Sequence, residues 1–305
     1  MIWLDTAAAE ALAREGTDAY RIATGPGCRI ERFGDGIIVS HAAADGFPSA
    51  VAELEHWLEA ANVRVSAWYE RKLVTAPGRD DAPRRFRGAG STSGLARENG
   101  LLFEIDFLAG YSCGLFPDQR SNRKKLRELA PKRMLNTFAY TCAFSVAAAA
   151  AGAQTLSLDV SKGSLERGRR NFGHNGLPLD GHRFIADDVF DVLPRLARRD
   201  ERFDLIVLDP PTFSRGRKGR VFRAETGYGR LMELAAACLA PGGWILLSTN
   251  CSSLDSGALR QLALEHLPGS LEFAAPPPQP DVPVGGGSST VWVRMRPPGG
   301  ACRQA

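Results

Sequence analysis

Four aspartates and one cysteine follow short apolar runs in this chain. "AQTLSLD" closes on Asp159, "HRFIADD" on Asp187 and Asp188, "FDLIVLDPPTFS" carries Asp209, and "GGWILLSTNC" runs into Cys251. A carboxylate at the end of an apolar strand is an acceptor fixed at a sheet edge. After the second strand of an open α/β sheet it can take both hydroxyls of a ribose. Pro210 and Pro211 have no N–H and a fixed φ, so they stop ladder pairing and hold a rigid turn between Asp209 and Phe213. Asp209 reads either as a ligand-facing acid or as a turn cap. Asp187 and Asp188 are adjacent and point opposite ways, so one faces a ligand and the other caps the helix that starts at Val189. Cys251 reads either as a nucleophile, once ionised, or as a small buried hydrophobe.

The elements that must position these residues begin after Pro131. "KRMLNTF", "AQTLSLD", "HRFIAD", "FDLIVLD" and "GGWILLSTN" read as strands, separated by helical stretches, the last of which is expected to end at Pro241-Gly242-Gly243. This rhythm predicts a doubly wound, mostly parallel α/β sheet. "SGALRQLALEHL" then reads as a helix, and "SLEFAA" and "STVWVRMR" as an antiparallel pair at one edge. Upstream, "CRIERFGDGIIVSH" reads as a hairpin, "SAVAELEHWLEAA" as an amphipathic helix and "VRVSAWYER" as a strand. "TAPGRDDAPRRFRGAGSTSG" reads as a polar connection, and "LLFEIDFLAGYSCGLFPDQR" as a second hairpin feeding a basic helix. The expected organisation is a small α+β domain over 1–95, a large α/β domain over 96–297 and a disordered tail over 298–305.

With 305 residues, 24% charged and 44% apolar, the composition is that of a globular protein. No apolar run approaches the roughly 20 residues that span a bilayer. "MIWLDTAAAEALARE" is acidic where a signal peptide is basic, so the expectation is a cytoplasmic protein with no membrane partner. The cysteines are scattered without C-x-x-C spacing, which predicts no metal site. Net charge is only +4, but the cations cluster in "RRFR", "RSNRKKLR" and "RGRKGRVFR". Clusters of this kind suit a polyanion such as RNA or form a solvated face.

The turn after the first strand selects among nucleoside cofactors. A dinucleotide site needs glycines where backbone meets pyrophosphate, and "LNTFAYTCAFS" has no G-x-G-x-x-G, so a cofactor without phosphates is expected. At this point "LNTFAYTCAFSVAAAAAGA", "LDVSKGSLERGRRNFGHNG", "ADDVFDVL", "FDLIVLDPPTFS" and "APGGWILLSTNCSS", in this order, resemble the class I methyltransferases of the large-subunit ribosomal RNA family, which include cytosine-C5 and guanine-N7 enzymes. "GLFPDQRSNR" is similar to that family's lead-in, and "GCRIERFGDGIIVSH" with "WYER" to its small middle domain. A PUA domain, common in the cytosine-C5 members, is not expected in this chain.

The resemblance implies a Rossmann-like, seven-stranded methyltransferase sheet that binds S-adenosylmethionine. By it, Phe138, Tyr140 and Thr141 line the methionine part, Asp159 holds the ribose, Asp188 and Val189 face the adenine, and Val160 and Gln119 also contact the cofactor. Asp209, Pro210, Pro211 and Phe213 lie between methyl donor and target base, where Phe213 can stack on an extruded base. Cys251 resembles the nucleophile of the cytosine-C5 members, whereas "PPTFS" is closer to the guanine-N7 members. Arg120, Arg215, Arg217, Lys218 and Arg220 are the expected RNA contacts, the last four on a mobile loop. The resulting expectation is methylation of a base in large-subunit ribosomal RNA, cytosine C5 ahead of guanine N7. Methylation of a small molecule or protein, and RNA binding without catalysis, are the alternatives.

Overall fold

The computed structural model describes residues 1–42, 47–73, 83–110, 112–216, 219–283 and 285–296. The chain forms two compact units, Met1–Arg120 with Pro278–Gly286, and Ser121–Pro277 with Gly287–Ala305. The expected tail over 298–305 lies outside the described residues.

In the first unit, β1 (Ile2–Trp3), β2 (Ala19–Gly25), β3 (Cys28–Phe33), β4 (Gly36–His41), β5 (Ala67–Lys72) and β6 (Arg84–Gly88) lie side by side in that order. All neighbours are antiparallel except β4 and β5. The connection between β4 and β5 holds α2 (Phe47–Ala60), as a parallel crossover requires. Leu54, Trp57 and Leu58 of α2, with Leu12 of α1 (Thr6–Arg14), cover Ile22, Ile30, Ile37 and Val39 of the sheet.

Three expectations need correction here. "RRFR" is not connection but the edge strand β6, where one free side tolerates charged residues. The second hairpin does not lie within 101–120 but pairs β7 (Ser93–Glu98), upstream of it, with β8 (Leu101–Asp106). Its two-residue turn is Asn99-Gly100, with φ of 49° and 79°, the turn chemistry that matches strand twist. Arg120, expected on a phosphate, is buried, its guanidinium spanning both carboxylate oxygens of Asp281, with Nη1 to Oδ2 at 2.9 Å. It therefore holds the Pro278–Gly286 segment into this unit. Gln119 is also buried there, in a single 3-10 turn over Pro117–Gln119.

The second unit contains β9 (Arg133–Thr137), β10 (Gln154–Asp159), β11 (Arg183–Ala186), β12 (Phe203–Leu208), β15 (Leu239–Thr249), β16 (Ser270–Ala274) and β17 (Ser289–Arg296). They form one seven-stranded sheet in the order β11-β10-β9-β12-β15-β17-β16. The first five are parallel and β17 and β16 antiparallel, as the sequence predicts. Helices α6 (Val189–Arg198), α7 (Ala224–Ala236) and α8 (Ser256–His266) bury one face, with Leu193, Tyr228, Leu231 and Leu259 against Ile206, Leu208, Ile245 and Leu247. On the other face lie α3 (Arg120–Leu129) and α4 (Ala143–Ala150), which bring Leu126 and Phe144 to Met134, Leu205 and Val207. The chain reverses its strand order between β9 and β12, so the crevice for a ligand lies at their C-terminal ends.

Pro241-Gly242-Gly243 does not end the helix. α7 stops at Ala236, and β15 already runs from Leu239, absorbing these residues where its register against β12 shifts between Phe203 and Leu205. Gly242, at φ 76°, makes that irregularity possible. Among the described residues no helix is long and apolar enough to cross a membrane.

Candidate active site

The turn after β9 carries a repeated backbone signature. Phe138, Tyr140 and Cys142 all have left-handed φ, at 52°, 47° and 61°. Each such residue costs about 1–2 kcal/mol relative to an ordinary conformation, and clusters of this strain gather at ligand sites. The turn is over-determined from several sides. Ala139 N donates to Leu158 O (3.0 Å) and Tyr140 N to Asp159 Oδ2 (2.8 Å), while Thr141 O accepts from Asn171 Nδ2 (2.9 Å). Beneath it, Asn136, Ser145 and Ser157 join β9, α4 and β10 in one buried hydrogen-bonded set (2.9 and 2.8 Å). Cys142 is fully buried and directed at Gly168 of α5 (Lys162–His174), where an added Cβ would overlap its sulfur. Burial pushes the Cys142 thiol up to about 12, which makes it inert.

Asp159 closes β10 with its oxygens fixed by backbone donors, Tyr140 N on Oδ2 and Ser161 N on Oδ1, both at 2.8 Å. A carboxylate has roughly four lone-pair sites, so acceptor capacity remains for a pair of vicinal hydroxyls. Burial raises its pKa, the surrounding N–H groups opposing it. Val160 beside it is exposed.

The cap of α6 falls on the acid expected to face the ligand. Asp188, not Asp187, is the N-cap of α6, accepting from Phe190 N at 2.9 Å through Oδ1. Asp187 pairs instead with Arg195 at 2.6 Å. The cap follows from backbone geometry, because Asp188 is the last extended residue before the helix, at φ −73° and ψ 128°. Asp188 Oδ2 receives Arg220 Nη1 at 3.2 Å, and Arg220 Nη2 reaches Asp191 at 2.9 Å. Val189 is buried in the core under α6, so only its backbone is available to a ligand.

The expected mobile loop is an antiparallel hairpin of β13 (Phe213–Arg215) and β14 (Val221–Arg223). Gly216 N donates to Arg220 O (2.8 Å) and Ala224 N to Thr212 O (3.0 Å), closing it at both ends. Within it Arg220 is anchored on Asp188 and Asp191. Arg217 and Lys218 lie outside the described residues. Arg215 is exposed, as is the Phe213 ring, over which the Arg223 guanidinium sits at 5.2 Å.

Asp209 follows β12, with Pro210 buried and Pro211 exposed behind it. Under this edge, the Tyr228 hydroxyl lies 2.8 Å from Leu208 O and 2.9 Å from Ser248 O, and accepts from Ser248 N at 2.9 Å. It ties the ends of β12 and β15 together. Burial, with the nearby Asp209 charge adding to it, holds this phenol neutral well above its ordinary range. Cys251 lies two residues beyond β15, 4% exposed, with its N–H on Thr249 Oγ1 (3.1 Å). Its sulfur is 3.1 Å from Ser253 Oγ, which in turn is 2.9 Å from Glu225 Oε1. Tyr228, Glu225 and Gly168 reach these positions through packing, whereas Ser253 stands two residues from Cys251 in the same turn. Among the described residues no cluster of three or more His, Cys, Asp or Glu is arranged to hold a metal ion.

The family model for S-adenosylmethionine-dependent methyltransferases matches residues 67–294. The YwbD protein of Bacillus subtilis is 35% identical over 263 residues, covering 81% of this chain and 66% of that one. Ribosomal RNA large subunit methyltransferase I of Photobacterium profundum is 32% identical over 270 residues, covering 83% and 66%. The chain thus spans 66% of the length of these curated relatives. The solved structure of SMU.776 complexed with SAH has a TM-score of 0.81 at 23% identity, covering 97% of this chain and 83% of that one, which shows a shared fold. A family match that runs through every strand of the acid-tipped sheet places this chain in the S-adenosylmethionine-dependent methyltransferase family.

Proposed function

We propose that this protein methylates a base of large-subunit ribosomal RNA, with cytosine C5 as the target atom. The observation that carries the reading is Cys251 just beyond β15, the strand that pairs in parallel with β12, whose end bears Asp209. A thiol and a carboxylate on adjoining strand ends suit the chemistry of C5, a poor nucleophile that becomes enamine-like once sulfur adds to C6. The relative in Photobacterium profundum, named for large-subunit ribosomal RNA, supports the RNA substrate.

S-adenosylmethionine supplies an electrophilic methyl group on a sulfonium. We assign its ribose to Asp159, its adenine to Asp188 and the Val189 backbone, and its methionine part to Phe138, Tyr140 and Thr141. The fixed carboxylate of Asp159 beside the three left-handed residues is what fits this group. Phe213, exposed at the base of the hairpin, is assigned to stacking on the target base, and Arg215 to phosphate. The small N-terminal domain is assigned to contact with RNA.

A second reading, guanine N7, draws on the near-complete burial of Cys251, since N7 attacks a methyl group through its own lone pair and needs no thiol. The test is Cys251→Ala assayed with tritiated cofactor on 23S ribosomal RNA, with calorimetry confirming cofactor binding. Loss of methyl transfer with binding intact supports cytosine C5. Retained transfer makes N7 the better assignment.

A further inference from the structure

Cys251, Ser253 and Glu225 form a chain of polar atoms at the edge of the second unit. Sγ lies 3.1 Å from Ser253 Oγ, Ser253 Oγ lies 2.9 Å from Glu225 Oε1, and Sγ is 3.8 Å from the same carboxylate oxygen. A serine hydroxyl has one proton. The carboxylate can only accept, so the Ser253 proton goes to Glu225, and the thiol donates either to Ser253 Oγ or directly to Glu225 Oε1. On both routes Glu225 is the terminal acceptor. Glu225 sits in the first turn of α7 and is exposed, so its charge is solvated and sustainable there. Besides Glu225, the charged residues at the ends of the elements that pack around α7 are Arg223 at its start, Asp209 after β12 and Asp255 at the N-cap of α8.

We propose that Ser253 and Glu225 are the proton relay that activates Cys251, an inference that rests on the cytosine-C5 reading. As Sγ bonds to C6, the Sγ–H proton passes to Ser253 Oγ and the Ser253 proton passes to Glu225. The C5–C6 π pair moves onto C5 and forms the C5–methyl bond, while the pair of the broken methyl–sulfonium bond stays on the donor sulfur. On elimination the C5 proton leaves to water, the C5–H pair re-forms the C5–C6 double bond, the C6–S pair returns to Cys251 sulfur, and Glu225 returns the proton to it through Ser253. A free thiol ionises near pH 8.5, so only a few per cent is thiolate at neutral pH. The role assigned to the carboxylate is to take the proton during attack.

RNA transcripts of the 23S molecule containing 5-fluorocytosine trap the sulfur–C6 adduct, because fluorine cannot leave as a cation. Adduct formation is followed from pH 6.5 to 9.5 for wild type, Glu225→Gln, Glu225→Asp and Ser253→Ala. The relay predicts that Glu225→Gln and Ser253→Ala slow trapping about 100-fold at pH 7. Their rates should then climb about tenfold per pH unit toward the free-thiol range, with Glu225→Asp partly restored. A structural role for Glu225 would not change the pH profile. If Glu225→Gln traps as fast as wild type or faster at pH 7, the relay is overturned and the carboxylate is only a like-charge neighbour. If wild type traps nothing and Cys251→Ala still transfers methyl groups, the cytosine reading itself has failed and the relay with it. Loss of activity in Cys251→Ala with an unaffected Glu225→Gln removes the relay alone. Cofactor calorimetry and thermal melts confirm that each variant is folded.

Discussion

Cys142 and Gly168 occupy one space: the thiol of the first cofactor turn fills the position that a Cβ on Gly168 would take. Here the side chain turns into α5 and leaves the cofactor edge clear, which only a glycine on the facing helix allows.

Gly168→Ala should therefore destabilise the protein. Overpacking costs about 1–3 kcal/mol, and the gain in helix propensity returns about 1 kcal/mol. Cys142→Gly in the same chain should recover most of the loss, because it removes the sulfur and relieves a left-handed φ of 61°. Urea denaturation of the two single variants and the double variant measures this. Additive effects would mean that the residues do not share the space.

Cofactor affinity should fall in acid. The Asp159 carboxyl is raised above the ordinary carboxylate range, first by burial. Protonation on descending through that raised value removes an acceptor for the ribose. The stability of the free protein has the opposite dependence: this group stabilises the fold fully below the unfolded carboxylate value, and its contribution is lost as pH rises through the raised one. Calorimetric titrations across the acid range should show the affinity loss in wild type and a weak, nearly pH-independent affinity in Asp159→Asn.

Tyr228→Phe removes the buried hydroxyl that accepts from Ser248 N at 2.9 Å and lies 2.8 Å from Leu208 O and 2.9 Å from Ser248 O. Each such hydrogen bond contributes about 0.5–1.5 kcal/mol, so a loss of about 1–3 kcal/mol is expected. The ends of β12 and β15 also lose the atom that joins them. A shift of the urea midpoint in this range is expected, with methyl transfer falling further than the population of folded protein. A change below about 0.5 kcal/mol would show that water replaces the phenol.

Arg215 and Arg220 should separate in their effects although they share one hairpin. Arg215 is exposed, and if it meets a phosphate, Arg215→Ala lowers the logarithmic salt slope of RNA binding by about 0.7 to 0.9. Arg220 is engaged by Asp188 at 3.2 Å and Asp191 at 2.9 Å, with its side chain 43% exposed. Such pairs contribute up to about 1 kcal/mol. Arg220→Ala should free the hairpin, seen as faster proteolytic cleavage near 213–223, with little change in salt slope. Filter binding at several salt concentrations distinguishes the two.

The strands of the second unit were legible in the sequence because apolar runs ending in Asp159, Asp187-Asp188, Asp209 and Cys251 state both their buried length and their polar edge. Alternation of those runs with helical stretches gave the doubly wound order, and the missing glycine fingerprint narrowed the cofactor. Edge strand β6 escaped because its residues are charged, and the β7–β8 pairing escaped although Asn99-Gly100 marked its turn. Which acid caps α6, Asp188 rather than Asp187, depends on where one residue's backbone leaves the extended region. Local pattern does not specify that point. The neighbours of Cys251 and Cys142 were invisible for a different reason. Glu225 and Gly168 are 26 residues from the cysteines they meet, on helices whose rotation is set by the whole buried face. The sequence by itself determined which strands end in chemistry. Only tertiary packing decided which side chains stand beside them, because contact between distant residues follows from how apolar faces fit and not from any local signal.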